Sequence, residues 1–143
     1  MNKTELEAIL PHRNSMMLLD SADVLPDGSA HGVKTITGNE FFLDGHFPGN
    51  PIVPGVILCE ILAQSACVLL GDSIHGPVRT VLTGLDGVRF KRAVQPGDLF
   101  ETECVIEKQK APFYWAKGYG RVNGELCVSA SFSFAVFPEQ EQK

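Results

Sequence analysis

The feature of this sequence that most restricts its fold is a single apolar stretch, residues 56–70, which directly follows Pro54 and Gly55. The stretch is shorter than the ~20 residues of a membrane-spanning helix, and it contains Glu60 and Gln64. We therefore predict a buried helix that ends near Gly71. A helix that is apolar around almost its whole circumference must be covered on several sides.

Strand patterns occupy most of the remaining chain and can supply this cover. Apolar residues alternate with small polar ones along residues 125–137, and the preceding Asn123-Gly124 pair is a strong hairpin-turn signal. A short first helix is predicted from the capping-box spacing of Thr4 and Glu7. The predicted strands are residues 16–25, 29–37, 78–92, 99–110, 113–122 and 125–137. The predicted class is α+β, with a curved antiparallel sheet wrapped around one long apolar helix.

Length and composition predict one domain over residues 1–143, with a frayed tail at 138–143. Twelve Lys and Arg against seventeen Asp and Glu give a net charge of -5, the wrong sign for coating nucleic acid or an anionic membrane. An acidic partner would therefore require a local basic patch. The charged first residues lack the apolar run of a secretory signal, which predicts a cytoplasmic protein. The four cysteines form no CxxC pair and no zinc-like spacing with histidine, so we expect neither disulfides nor a metal site.

A shaped loop precedes the apolar helix and contains a candidate base. Residues 45–55, GHFPGNPIVPG, hold three Pro and three Gly, too many chain breakers for regular structure. His46 lies in this loop, and imidazole can take up and release a proton near physiological pH. The alternative is a histidine that only hydrogen-bonds loop carbonyls.

The apolar helix itself carries a candidate acid. At about 100° per residue, Glu60, Gln64 and Cys67 share one face. A carboxyl group among apolar neighbours loses hydration, which disfavours its charged form and makes Glu60 a candidate proton donor. The alternative is a Glu60–Gln64 pair that is hydrogen-bonded across an oligomer interface. Cys67 and the other helical cysteine, Cys59, are interpreted as small packing residues.

The first helical amides complete a possible reaction site. The N–H groups of Gly55 and Val56 lack helical partners and lie at the positive end of the helix dipole, where an oxyanion would be stabilised. Gly55 is equally explained by the turn after Pro54. A base, a buried acid and oxyanion donors suit proton abstraction next to a carbonyl with loss of a β-substituent. The sequence contains no GxSxG, GxGxxG or GxxxxGK[ST] motif, so those site classes lack support.

The run GHFPGNPIVPGVILCEILAQ, residues 45–64, resembles the signature of the FabZ-type 3-hydroxyacyl-acyl-carrier-protein dehydratases, which have the hot-dog fold. The resemblance extends over nearly the whole chain, through ILPHR at residues 9–13, LLD at 18–20, GVRFKRAVQPGD at 87–98 and NGE at 123–125.

The resemblance implies that His46 is the catalytic histidine, that Glu60 is the catalytic carboxylate and that Gln64 helps to orient Glu60. It also implies that the Gly55 amide polarises the thioester carbonyl of a substrate carried on the phosphopantetheine arm of acyl carrier protein. No metal or redox cofactor is implied. In the family, one subunit supplies the histidine and its dimer partner the carboxylate, and dimers commonly associate into hexamers. A basic rim for the acidic carrier protein is implied, which suggests Lys91 and Arg92.

One departure from the family pattern concerns the acyl tunnel. Many members carry an aromatic residue just after the His-Arg pair, where this chain has Asn14. The acyl-chain length preference is therefore left open. Three other activities are also left open by the residues: a dehydratase that also isomerises the new double bond, a noncatalytic acyl-binding protein and a hot-dog thioesterase.

Overall fold

A single antiparallel sheet provides most of the structure in the computed structural model, which describes residues 1–44, 49–73 and 78–138. The strands, which we label in chain order, are β1 (Ser21–Val24), β2 (Ala30–Thr35), β3 (Val78–Phe90), β4 (Leu99–Lys110), β5 (Phe113–Val122) and β6 (Glu125–Pro138). Their order across the sheet is β1-β2-β4-β5-β6-β3, so β1 and β3 form the edges. The four later strands lie within two residues of their predicted bounds.

Two α-helices accompany the sheet in the described residues, α1 (Lys3–Glu7) and α2 (Gly55–Cys67). The central helix α2 packs against β4, β5 and β6, and its side chains Ile61, Leu62 and Ala66 are fully buried. A Cβ at Gly118 of β5 would lie 2.9 Å from the Cys104 sulfur and 3.4 Å from Leu62 Cβ, so glycine there permits the close approach of helix and sheet. The predicted hot-dog architecture, a curved sheet around one apolar helix, is confirmed.

Three local predictions were wrong at their boundaries. The strand predicted from residue 16 begins at Ser21, because the Met16 carbonyl and the Leu18 amide bond to the Gln64 side chain instead of to a strand. The second strand is shortened from residues 29–37 to Ala30–Thr35. The α-helical part of the apolar stretch ends at Cys67 and continues as a 3-10 helix, Val68–Ser73.

The first helix forms as predicted, but its cap is different. Asn2, rather than Thr4, is the N-cap: its side chain accepts a hydrogen bond from the Glu5 amide at 2.9 Å. The Glu5 carboxylate in turn accepts from the Asn2 amide at 3.1 Å. The capping box therefore lies two residues earlier than the spacing of Thr4 and Glu7 suggested. In the described ranges, none of the helices has the length and apolar character that a bilayer crossing requires.

Candidate active site

The start of α2 presents two amide groups without acceptors. Pro54 is the N-cap, and its carbonyl accepts hydrogen bonds from the amides of Ile57 at 2.9 Å and Leu58 at 3.3 Å. Within residues 1–44, 49–73 and 78–138, no acceptor is paired with the amides of Gly55 and Val56. Val56 is 71% exposed, so its amide lies near the surface of the chain. The positive end of the helix dipole therefore has two free donors, as predicted.

Gly55 lines a groove of about 460 Å³ between the start of α2 and the end of β3, and Val56 is the next residue of the helix. Gly55 and Leu58 line its helical side, and Phe90 and Lys91 line its strand side. A Cβ at Gly55 would lie 2.6 Å from Cζ and 2.8 Å from Cε1 of Phe90, so the ring packs directly on this glycine. The absence of a side chain at Gly55 thus lets an aromatic ring form the groove wall beside the free amides.

Glu60 lies farther along α2 and faces a different neighbour. Its carboxylate Oε1 is 3.7 Å from His12 Nε2, and the two side chains are 28% and 16% exposed. Glu60 lies five positions after Gly55, which corresponds to about 140° around the helix axis. Glu60 accordingly does not line the groove at Gly55 in the described chain. The candidate acid and the candidate oxyanion donors therefore open on different sides of one helix.

Gln64, one turn after Glu60, is fully buried and hydrogen-bonds to the backbone. Its Oε1 accepts from the Leu18 amide at 3.1 Å, and its Nε2 donates to the Met16 carbonyl at 2.8 Å. The side chain thus fixes the segment after His12 against α2. An orienting action of Gln64 on Glu60 stays a prediction.

The two candidate docking residues differ in their surroundings. The Arg92 guanidinium lies 3.4 Å from Glu125 and 4.0 Å from Asp98. Lys91 is exposed, and its ammonium has no ion-pair partner in the described part of the chain. Of the two, Lys91 is the cation available to an external acidic group.

The four cysteines are all buried and free. Burial raises the pKa of the Cys67 thiol to about 12, and the nearby Glu60 adds to this rise. Burial also raises the pKa of the thiols of Cys59 and Cys104. These thiols stay protonated near neutral pH, which fits the predicted packing role. Among the described residues, no cluster of His, Cys, Asp and Glu is arranged to hold a metal ion.

The candidate base, His46, lies outside the described residues. His12 was not among the site residues predicted from the sequence, and in the structure it lies next to the candidate acid. Its position after Pro11 and the predicted first helix was the available signal, but the contact with Glu60 depends on how residues 12–18 pack against α2. Sequence spacing does not reveal that packing.

Comparisons with known proteins agree on one family and one fold. The model of the FabA-like domain matches residues 10–131. The chain is 37% identical over 134 residues to a protein of Halalkalibacterium halodurans named 3-hydroxyacyl-[acyl-carrier-protein] dehydratase FabZ, covering 92% of this chain and 96% of that one. It is 40% identical over 134 residues to the protein of the same name from Thermomicrobium roseum, covering 92% and 90%.

Solved structures add the likeness in fold. The dehydratase heterocomplex ApeI:P from Xenorhabdus doucetiae matches with a TM-score of 0.81 at 21% identity, over 94% of this chain and 91% of that one. A thioesterase-like protein related to phenylacetic acid degradation, from Ralstonia eutropha, matches with a TM-score of 0.62 at 18% identity, over 80% and 83%. The sheet wrapped around α2 is therefore an architecture that dehydratases and thioesterases both use.

Proposed function

This chain belongs to the FabA-like domain family, and from that premise we propose that it dehydrates (3R)-hydroxyacyl-acyl carrier protein to the trans-2-enoyl thioester in type II fatty acid biosynthesis. Two relatives that cover nine-tenths or more of the chain bear the name of this hydro-lyase. The observation that supports the chemistry most directly is the pair of free amides at Gly55 and Val56, of which Gly55 lines a groove.

In the proposed reaction, the thioester carbonyl oxygen accepts hydrogen bonds from the amides at the start of α2. His46 removes the α-proton, and the developing enolate charge is stabilised by those amides. Glu60 protonates the 3-hydroxyl group, the bond between Cβ and oxygen breaks, and water leaves as the carbon–carbon double bond forms. Carbon is neither oxidised nor reduced in total, so the reaction requires no redox cofactor.

We further propose that the site is completed by a second copy of the chain. Glu60 and Gly55 open on different sides of α2, so one copy does not bring its own acid to its own groove. The edge strand β3 also offers exposed apolar side chains to a partner: Val81, Leu82 and Leu85 are 41–44% exposed. We propose an isologous dimer through this edge, in which Glu60 of one copy meets the groove of the other, with dimers associating into hexamers.

Acyl carrier protein is the proposed partner. Its acidic surface would meet the exposed Lys91 at the groove, while Arg92 is paired with Asp98 and Glu125. Because the proposed substrate stays attached to acyl carrier protein throughout the loss of water, a cytoplasmic location fits this proposal.

The test presents the purified protein with (3R)-hydroxyacyl-acyl carrier proteins of several chain lengths and follows loss of water by mass spectrometry. We expect enoyl formation by the wild type, and its loss in His46→Ala and in Glu60→Gln with an unchanged circular dichroism spectrum. Wild-type turnover by both variants would contradict the assignment. Release of free thiol would instead indicate a thioesterase, and a 3-enoyl product would indicate an isomerising dehydratase.

A further inference from the structure

His12 is the group in direct reach of the candidate acid. Its imidazole is 16% exposed, and Nε2 points toward the Glu60 carboxylate at 3.7 Å. This separation is slightly longer than a hydrogen bond, so a small rotation of either side chain closes it.

The other ring nitrogen determines which tautomer the site favours. His12 Nδ1 is inaccessible to solvent and has no hydrogen-bond partner among the described residues. A proton on Nδ1 would be a buried N–H without an acceptor, which is more costly than an unpaired lone pair facing apolar neighbours. The neutral imidazole therefore carries its proton on Nε2, where the N–H faces Glu60.

The backbone around His12 is held in place by neighbouring side chains. The Arg13 guanidinium donates to the His12 and Leu10 carbonyls, both at 2.7 Å, and to the Glu7 carbonyl at 2.9 Å. Downstream of His12, Gln64 binds the backbone of Met16 and Leu18 from α2, one turn away from Glu60. These contacts fix the imidazole relative to the helix face that carries the candidate acid.

We propose that His12 is a positioning residue that donates from Nε2 to Glu60 and stabilises the carboxylate formed when Glu60 gives up its proton. This proposal rests on the proposed dehydratase function. The donor matters most when charge appears on Glu60, so its effect falls on turnover rather than on substrate binding. The neighbouring Cys67 thiol is buried with a raised pKa and stays neutral, so it supplies no competing charge.

The test compares variants of His12 that keep or lose an N–H donor at the position of Nε2. Glutamine places an amide N–H close to the position of Nε2, whereas methionine has a similar length without a donor. We expect His12→Gln to keep kcat within about threefold of the wild type and His12→Met to lose about 10- to 100-fold in kcat, with KM nearly unchanged. His12→Asn, whose amide is too short to reach Glu60, should show the same loss, and it carries the test if the methionine variant fails to fold.

A matched control is available on the outer face of the sheet. His31 Nε2 lies 3.3 Å from Glu101, a second histidine–glutamate pair that joins β2 to β4, and its two side chains are 38% and 40% exposed. His31→Gln and His31→Met should both retain wild-type kcat.

The possible results separate the two proposals. Wild-type kcat in His12→Met and His12→Asn, or equal losses in His12→Gln and His12→Met, would overturn the positioning role while leaving dehydration by the wild type intact. A wild type that forms no enoyl product would instead refute the proposed function.

Discussion

Replacing Gln64 by leucine tests how the segment before β1 is held against α2. The leucine side chain resembles glutamine in size but lacks both polar groups. The change removes two hydrogen bonds, one from the Leu18 amide at 3.1 Å and one to the Met16 carbonyl at 2.8 Å. These bonds join residues 46 and 48 positions apart in the sequence.

The magnitude follows from the burial of the two groups that lose their partner. Leu18 is 2% exposed, so its amide stays unsatisfied and contributes a loss of about 1–3 kcal/mol. Met16 is 40% exposed, so water can reach its carbonyl and the loss there is about 0.5–1 kcal/mol. We therefore expect Gln64→Leu to lower the free energy of unfolding by about 2–3 kcal/mol, after a partial offset from the added apolar surface.

Urea denaturation followed by circular dichroism measures this change, at one fixed protein concentration because assembly contributes to stability. Gln109→Leu is the matched control: Gln109 is exposed on β4, and its replacement should change the free energy of unfolding by less than about 0.5 kcal/mol. An unfolding free energy for Gln64→Leu equal to that of the control would refute the reasoning.

Three further changes address the groove, the partner and the pH dependence. Gly55→Ala should displace the Phe90 ring by about 1 Å and lower kcat/KM about 10-fold or more, with little change in stability. The double variant with Phe90→Ala should regain activity. A single variant with wild-type kcat/KM would argue against this packing. Lys91→Glu should raise the KM for 3-hydroxyacyl-acyl carrier protein about 10-fold and leave turnover of a small thioester analogue unchanged. Equal effects on both substrates would exclude a docking role for Lys91. Burial alone would raise the pKa of Glu40, but hydrogen bonds from the Thr37 and Gly38 amides and the Thr37 hydroxyl outweigh it and lower the pKa from 4.5 to about 2. The folded state thus holds fewer protons at Glu40 than the unfolded state. The stabilisation that Glu40 contributes is complete above about pH 4.5 and is lost as the pH falls toward 2. In urea denaturation across this range, the free energy of unfolding should decline less for Glu40→Gln than for the wild type.

The sequence predicted the elements whose patterns are local. The alternation along β6 and the Asn123-Gly124 turn placed the last hairpin almost to the residue, because a strand with one buried face and a two-residue turn leave direct signatures. The apolar stretch predicted α2 and its cover for the same reason.

The errors and the omission share a physical cause, which is long-range contact between side chains and backbone. Residues 16–20 have the composition of a strand, but Gln64 takes the backbone groups that a strand would use. The same packing brings His12 to Glu60. The free amides at Gly55 and Val56 were predictable from the helix start, whereas the Phe90 ring beside them depends on the path of β3.

Asn14 stands where many members of the family carry an aromatic residue, and the backbone explains this difference in part. It adopts φ of 55°, in the left-handed region that asparagine enters more readily than most residues. An aromatic residue at this position would require a different local backbone or would be strained. The backbone of this turn therefore suits the asparagine that the sequence carries here.

The position of β3 has a consequence for how the protein is made. In the described sheet, β3 pairs with β6 alone, although β4 and β5 are synthesised between them. During translation, the wall of the groove that includes Phe90 has no strand to join until β6 has emerged from the ribosome. A nascent chain stalled before residue 125 would therefore expose the apolar side chains of β3 to chaperones, and its α2 would lack the strand wall of the groove.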